Sequence, residues 1–150
     1  MKDTTALENM LKEVLGSQNL AVIATQKEGQ PFTNLVAFVA SDDLKHLVFA
    51  TTRATRKFAN LTADERVALL VDNRRNQASD FGNAVGVTAF GRAAEVENAE
   101  REYFLNLYLA KHSHLKGFAT APTCALIKVK VDRYEVVQRF QNVFELRVRP

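Results

Sequence analysis

The residues with the clearest chemical potential form one run, which follows an apolar segment. The run reads Thr51-Thr52-Arg53-Ala54-Thr55-Arg56-Lys57. Its hydroxyl groups could bind an anion, while Arg56 and Lys57 supply positive charge, and a guanidinium can grip phosphate with two hydrogen bonds. Because a helix is predicted to begin here, free backbone N–H groups and the helix dipole would favour a phosphate at the same point. The run predicts either a phosphate clamp or an ordinary helix start capped by threonine. The glycines of a Walker loop are missing.

Two further segments could contribute to the same site. The first is Thr33-Asn34-Leu35-Val36 in a predicted strand, whose backbone could bind the edge of a planar heterocycle, although ordinary sheet residues look the same. The second is the loop over residues 72–80, which is rich in basic and amide groups. Its polar members are Arg74, Arg75, Asn76, Gln77 and Ser79. This loop could approach the same phosphate, lie at a partner surface, or simply be solvated.

The histidines and the single cysteine favour structural roles. His112 and His114 are two residues apart, so they do not share a helix face, and no cluster of cysteines or acids lies close enough to complete a metal site. We therefore predict no bound metal. His46 begins a predicted strand and is expected to be structural. Cys124 has no basic motif beside it, which favours a packed thiol over a nucleophile.

The composition limits the class of protein. The chain has 150 residues, 47% of them hydrophobic, and 20 Lys and Arg against 17 Asp and Glu, for a formal net charge of +3. These values predict one globular domain over residues 1–150 and argue against a disordered chain or a disulfide scaffold. A single cysteine and the lack of an apolar leader core predict a reduced, cytoplasmic setting without membrane attachment. The small excess of positive charge does not choose between nucleic acid, a phosphorylated ligand and neither.

The spacing of apolar residues predicts three helices around many strands. A first helix is expected over residues 6–15, between a capping box at Thr5 and Glu8 and a stop at Gly16. A short helix is expected to begin at Thr55, and a longer one covers residues 99–110. Residues 73–83 and 112–123 are expected to be loops.

The strands predict a mainly β fold. Strands are expected over residues 20–26, 31–40, 46–51, 66–72, 84–96, 124–140 and 143–148. Gly86 and Gly91 interrupt the fifth strand and suggest a bend or bulge there. Because the connections are mostly short, the strands are expected to pair antiparallel and to close into a small barrel with flanking helices.

The order of these pieces resembles the pyridoxamine 5′-phosphate oxidase-like family of FMN-binding split barrels. The resemblance rests on the segments "LAVIATQ", "QPFTNLVAFVA", "HLVFATTRATRKFANL", "ERVALLVDN" and "VGVTAFGRAAEV", which together span residues 20–96. The family has a similar succession of a strand, a strand after Gly-x-Pro, a strand ending in Thr or Ser, an Arg-Lys pair opening a helix, and Arg-Val-x-Leu.

The resemblance implies an antiparallel split β-barrel that binds FMN at a homodimer interface. It implies that Arg56 and Lys57 hold the phosphate with help from Thr51 and Thr55. The ring would lie along the strand that contains Thr33, Asn34, Leu35 and Val36. The loop over residues 76–83, or the start of the next strand, would reach the flavin from the same or the other subunit. The implied activity is redox chemistry by hydride or electron transfer on a small-molecule substrate.

Four departures from the family's oxidase argue against oxidation of pyridoxamine phosphate itself. Thr33 stands where that enzyme has an arginine, and Phe38 stands where it has a substrate-binding lysine. Small residues near Gly86 replace a glutamine. The chain ends at residues 145–150 without the enzyme's Arg-x-His motif.

Three alternatives remain open on the sequence. One is a member of the same fold that binds haem or a deazaflavin, with His46, His112 or His114 as the axial ligand of haem. Another is a non-enzymatic flavin-binding or stress-related protein. The third is a nucleic-acid-binding barrel that uses Arg53, Arg56, Lys57, Arg74 and Arg75. The last is disfavoured because most phenylalanines lie in apolar patterns and are not interleaved with these basic residues.

Overall fold

The computed structural model describes residues 4–150, so residues 1–3, where a leader would begin, lie outside the described residues. The helices are α1 (Thr4–Ser17), α2 (Arg56–Ala63), α3 (Asp80–Asn83), α4 (Asn98–Lys111) and α5 (Lys116–Ala119), with a 3₁₀ turn over Ser113–Leu115. The strands are β1 (Leu20–Lys27), β2 (Gln30–Ala40), β3 (His46–Thr52), β4 (Arg66–Asp72), β5 (Val85–Glu95), β6 (Cys124–Gln138) and β7 (Asn142–Arg147).

The strands form one antiparallel sheet that closes on itself. Their order is β3-β2-β1-β4-β5-β6-β7, and β3 pairs with β6 along its whole length, from His46 opposite Lys130 to Thr52 opposite Cys124. Closure leaves β7 as an extension beyond β6. The predicted antiparallel barrel with flanking helices is therefore confirmed, and each predicted strand is present with ends shifted by at most two residues.

Two apolar cores support the barrel. The larger one fills its interior with residues from all seven strands and with the apolar stripe of α1. The smaller one lies between the outer face of the sheet and α4, where Phe104 and Tyr108 pack on Leu126 and Val48. The first part of β6 is consequently buried on both faces, which explains why its apolar and polar residues do not alternate cleanly.

Gly91 allows β5 and β6 to approach closely at a bulge. The register of the two strands shifts between Phe90 and Gly91, so that Gly91 lies opposite Val131. A Cβ built on Gly91 would lie 2.3 Å from the carbonyl oxygen of Lys130. The predicted bulge is confirmed at Gly91 but is wrong at Gly86, which pairs regularly with Asp72 and Val137.

The ends of α1 differ from the prediction. Both Thr5 and Gly16 lie inside the helix, so the capping box and the glycine stop are wrong. The last carbonyls are instead capped from α4, since the Lys111 ammonium donates to the oxygens of Leu15 at 3.0 Å and of Gln18 at 2.6 Å. This partner is 96 residues away from Leu15. No local sequence signal could have identified it.

The two segments predicted as loops contain short helices. Residues 73–83 include α3, and residues 112–123 include the 3₁₀ turn and α5. These helices are too short for apolar periodicity to identify. Among residues 4–150, none of the helices is long and apolar enough to span a membrane.

A candidate anion and ring site at the split between two strands

The barrel is split between β2 and β3. These strands pair only through Phe38, Val39 and Ala40 of β2, opposite Phe49, Val48 and Leu47. Before Phe38, β2 pairs only with β1, and after Phe49, β3 pairs only with β6. If the ladder continued, Val36 would face Thr51. The split therefore leaves one backbone edge of β2 without a ladder partner, directly across from the end of β3.

A compact polar cluster occupies the β3 side of the split. The Lys57 ammonium donates to the Thr51 hydroxyl at 2.9 Å, and the hydroxyl oxygens of Thr51 and Thr55 lie 3.2 Å apart. Thr55 is also the N-cap of α2, where its hydroxyl accepts from the N–H of Phe58 at 3.2 Å. Thr51 is buried, so the cluster is held in a fixed position. Three residues singled out from the sequence are thus brought together.

The charge of this cluster is not neutralised within the chain. Among the described residues, neither Arg56 nor Lys57 forms an ion pair with a carboxylate. Partial burial lowers the pKa of the Lys57 ammonium, because desolvation disfavours its charged form. A helix N-terminus adds free N–H groups to these cations. An anion bound here would relieve an electrostatic cost that the folded chain already carries.

Arg56 lies slightly apart from that cluster. Its guanidinium sits 4.8 Å from the centre of the Phe32 ring on β2, and both line a cleft between α2 and the β1–β2 hairpin. Phe32 was not predicted from the sequence, because its distance from Arg56 depends on how α2 packs on β1. That packing is fixed by a buried hydrogen bond of 3.1 Å from the Asn60 amide to the Thr25 hydroxyl.

The β2 side of the split presents both exposed side chains and unpaired backbone groups. Thr33, Asn34 and Leu35 are exposed, whereas Val36 is buried in the barrel. Their backbone pairs with β1 on one side only. An edge of free N–H and C=O groups is suited to bind the hydrogen-bonding rim of a planar ring.

Two other basic groups lie away from the cluster. Arg53 donates to the carbonyls of Pro122 and Cys124 at 2.9 and 3.2 Å and bridges to Glu95 at 2.5 Å, so it fastens β3 to β6. The loop over residues 72–80 lies beside the C-terminal end of α1, where β1 begins, while α2 packs near the other end of β1. Within one chain, Arg74 and Arg75 therefore do not reach Lys57.

His112, His46 and Cys124 pack against other parts of the fold. His112 is buried and donates through Nε2 to the carbonyl of Phe38 at 2.7 Å, and His46 packs edge-on against Phe104. Burial raises the pKa of the Cys124 thiol, which keeps it protonated. Among residues 4–150, no three side chains of His, Cys, Asp or Glu are grouped so as to hold a metal.

The buried His112 and the half-buried His46 make stability depend on pH. Burial lowers the pKa of both His112 and His46 below the ordinary value of 6.5. Between the lowered pKa and 6.5 the unfolded chain binds a proton that the folded chain does not, so stability is lost as pH falls through this window. We expect the free energy of unfolding, measured with urea at pH 7, 6 and 5, to decrease by at most about 1.4 kcal/mol per pH unit for each histidine. The variant His112→Gln should reduce that slope, whereas His114→Gln on the exposed turn should leave it unchanged. An equal slope in all three proteins would contradict this assignment.

The sequence matches a known family over most of its length. The family model described as pyridoxamine 5′-phosphate oxidase covers residues 7–138. The chain belongs to this family. The sequence matches none of the curated proteins with which it was compared.

Solved structures with the same fold come from proteins of several kinds. A heme binding protein from Mycobacterium smegmatis superposes with a TM-score of 0.83 at 18% identity, over 98% of this chain and 59% of that one. A fad-binding protein from Mesorhizobium loti gives 0.68 at 19% identity, over 87% and 90% of the two chains. General Stress Protein 26 from Bacillus anthracis gives 0.70 at 20%, over 94% and 98%. This chain thus spans about three fifths of the first of these structures, and at such identities the likeness shows the fold alone.

Three positions where the sequence departs from the family's oxidase have different surroundings in the structure. Phe38 is completely buried, and its ring lies 4.1 Å from the Lys111 ammonium, so its side chain is part of the core. Thr33 is a short exposed side chain on the strand edge. Gly86 offers no side chain at all. None of these three positions therefore carries the side chain that the oxidase has there.

Proposed function

We propose that the protein is a homodimeric flavoprotein that binds FMN at the split and acts in flavin-mediated hydride or electron transfer. The observation that carries this proposal is the half-buried cluster of Lys57, Thr51 and Thr55 at the start of α2, directly across from the unpaired edge of β2. Bound FMN would supply the redox chemistry through its ring. The protein would supply position and charge.

The chemistry of the donor set fits a phosphate monoester. Such a group carries nearly two negative charges and accepts several hydrogen bonds. Lys57 and Arg56 would offset its charge. The hydroxyls of Thr51 and Thr55 would donate to its oxygens on giving up present contacts, among them the 2.9 Å bond from Thr55 to the Thr52 carbonyl. Free N–H groups in the first turn of α2 would add further donors. The folded chain already holds Lys57 against Thr51, so little ordering would be needed on binding.

The edge of β2 would orient a planar ring. Along Thr33, Asn34, Leu35 and Val36, the N–H and C=O groups of alternate residues point away from β1. They could bind a heterocyclic rim, since β3 leaves them without a ladder partner. The exposed face of the strand is apolar at Leu35, which would exclude water from one side of the ring. In this proposal these residues bind and orient the cofactor, and none of them exchanges a proton with a substrate.

The outer face of the barrel supports a dimer. Val22 of β1 pairs with Leu35 on one side and with Leu70 on the other, and nearby Leu20 is also exposed. Leu35 is 67% exposed and Leu70 is 39% exposed. A continuous apolar stripe of this kind marks an interaction surface. A second copy of the chain is its proposed partner, and the stripe begins at the same β2 residues that border the split.

Replacing Leu35 by Asp should separate the dimer. The exposed side chain contributes little to the barrel core, so the variant should fold, but a carboxylate in an apolar interface costs several kcal/mol. Light scattering after size exclusion should report a monomer, and FMN affinity should fall with it. Tyr103→Asp, on the exposed face of α4, should remain a dimer. A wild-type monomer, or a dimer that survives Leu35→Asp, would contradict the proposed interface.

The absorbance spectrum of the purified protein between about 300 and 500 nm tests the cofactor directly. We expect flavin bands, or their recovery when FMN is added to colourless protein. A Soret band would instead indicate haem. Protein that takes up no added FMN would overturn the proposal.

Steady-state assays separate an enzyme from a carrier. Turnover with reduced nicotinamide cofactors and common electron acceptors would support an oxidoreductase. Flavin binding without turnover would favour a storage or sensing role, and we expect no oxidation of pyridoxamine 5′-phosphate.

A further inference from the structure

One edge of the sheet has no partner strand. β7 is the last strand in the order of the sheet, and within residues 4–150 it pairs only with β6. The N–H of Val148 donates to the carbonyl of Asp132, the residue directly opposite, at 2.9 Å. Because bonded and non-bonded pairs alternate along an antiparallel ladder, the even-numbered residues of β7 bond to β6. The N–H and C=O groups of Val143, Glu145 and Arg147 therefore point outward, away from β6.

The outward edge of β7 forms one wall of a groove. The groove has a volume of about 590 Å³, and residues 145–149 line it on this side. A second wall is a stripe of α1, in which Thr4, Glu8 and Lys12 recur at every fourth position and share a helix face. Residues 42–45 of the β2–β3 turn line the rest. A groove between a strand edge and a helix is suited to take up an extended peptide as an additional strand.

The two faces of β7 differ in polarity. Phe144, Leu146 and Val148 are half-buried and pack against the larger core, so one face of the strand is apolar. Glu145 and Arg147 lie on the other face, where both are exposed and form an ion pair at 2.8 Å. A strand added beside β7 would continue both faces, since paired residues in a sheet share a face. Such a strand would alternate apolar and charged residues.

The charges along the edge indicate which side chains the added strand would carry. The residues with outward backbone groups are Glu145, Arg147 and, just beyond the strand, Arg149, which also lines the groove. Opposite charges on directly paired residues are favourable, whereas like charges are unfavourable. An antiparallel strand would therefore place a basic residue opposite Glu145 and acidic residues opposite Arg147 and Arg149. The ion pair within β7 is exposed, so its rearrangement would cost little.

The groove fits a single extended segment better than a second copy of the chain. Residues 145–149 span about 17 Å in extended form, which corresponds to a segment of five residues. A second copy could present its own β7 only together with β6 and α1, which pack against that strand. One strand between β7 and α1 needs no such room.

We propose that the groove between β7 and α1 binds an extended segment of a partner protein as an antiparallel strand. The segment would read acidic, apolar, acidic, apolar, basic. Its charged residues would bond to the outward backbone groups of β7, and its apolar residues would lie beside Val148 and Leu146. The proposal does not rest on FMN binding, because the groove shares no residue with the Lys57 cluster or with the exposed edge of β2.

Fluorescence anisotropy with a rhodamine-labelled peptide of sequence "TEVEVKT" tests the site on the purified protein. The charge-reversed peptide "TKVKVET" is the control, because it keeps the apolar residues and the strand preference. We expect the first peptide to bind one per chain, equally with and without saturating FMN, and at least about tenfold more tightly than the second. No binding of the first peptide, equal binding of both, or displacement by FMN would overturn the proposal.

N-methylated peptides test whether the backbone pairs as a strand. Methyl groups on the N–H of the second glutamate and of the lysine of "TEVEVKT" remove two donors to β7, so the affinity should fall at least about tenfold. Methyl groups on the two valines, whose N–H groups point away from β7, should change it by less than about threefold. Equal losses in the two methylated peptides would exclude strand addition.

The double variant Glu145→Arg/Arg147→Glu tests the position of the peptide. It reverses two exposed charges and keeps an ion pair within β7, so its melting temperature should equal that of wild type. It should prefer "TKVKVET" to "TEVEVKT". Glu102→Arg/Lys116→Glu, at exposed positions on α4 and α5, should keep the wild-type preference. An unchanged preference in the first variant would overturn the proposal. Dissociation of the protein by the peptide, seen by light scattering, would also overturn it, since the edge would then join two copies.

Discussion

Replacing Lys57 by Met should raise the dissociation constant for FMN by about 10- to 100-fold, since a hydrogen bond to a charged group contributes about 1.5–3 kcal/mol. Methionine keeps the length and apolar stem of the side chain but removes the ammonium that now donates to Thr51. Burial already lowers the pKa of this ammonium, so the substitution removes an electrostatic cost in the empty protein and should not destabilise it. Fluorescence titration of colourless protein with FMN measures the effect.

Riboflavin provides the control for that experiment, because it has the same ring but no phosphate. Its affinity should be the same in wild type and Lys57→Met. Arg56→Ala should also weaken FMN binding but to a smaller degree, because Arg56 is exposed and packs on Phe32. Lys130→Met, at an exposed lysine on β6, should bind FMN normally. Equal FMN affinity in Lys57→Met and wild type would remove Lys57 from the site.

Replacing Gly91 by Ala should strongly reduce the stability of the barrel. The added Cβ would lie 2.3 Å from the backbone oxygen of Lys130, where no side-chain rotation can relieve the contact. The two strands would have to separate at the bulge, so we expect a loss of about 3 kcal/mol or more in the free energy of unfolding. Urea denaturation followed by circular dichroism measures this loss.

Gly16→Ala is the matched control for Gly91. Gly16 lies inside α1, and a Cβ at this position would meet nothing within 4 Å. Alanine should stabilise the protein by about 0.5–1 kcal/mol, because it reduces the conformational entropy of the unfolded chain and favours a helix more than glycine does. A Gly91→Ala variant as stable as wild type would contradict this expectation. The close approach of β5 to β6 would then not restrict the side chain at residue 91.

The sequence was sufficient to predict the elements whose signals are local. The strands were found from runs of β-branched residues with turns between them, and α2 was found from Thr55, which does cap it through the N–H of Phe58. The C-terminal end of α1 was wrong because its carbonyls are capped by Lys111, a residue from α4 that only the tertiary fold brings near. Likewise, Gly86 and Gly91 look alike in sequence, and only the register of β6 shows which of them is constrained.

The candidate site could likewise be predicted only where its residues are close together in the sequence. Thr51, Thr55 and Lys57 lie within one short segment, so their spacing was informative. The loop with Arg74 and Arg75 carries a similar composition, but it belongs to the other end of β1. Composition could not distinguish these two segments. The pairing of β1 with β4, and the early divergence of β2 from β3, are long-range facts that no local pattern contains.

The closure of the barrel by β3 and β6 also sets how the chain must fold. The pairs β1–β2, β2–β3 and β6–β7 are joined by short turns, whereas the β3–β6 pair and the buried bond from Tyr134 to Leu44 link residues as far as 90 positions apart. Bringing such distant segments together costs loop entropy before any contact compensates for it. Proteins rich in such pairings fold in milliseconds to seconds. We therefore expect the hairpins to form early and the β3–β6 seam to close last, so that the edges of β3 and β6 are the surfaces exposed in a partly folded chain.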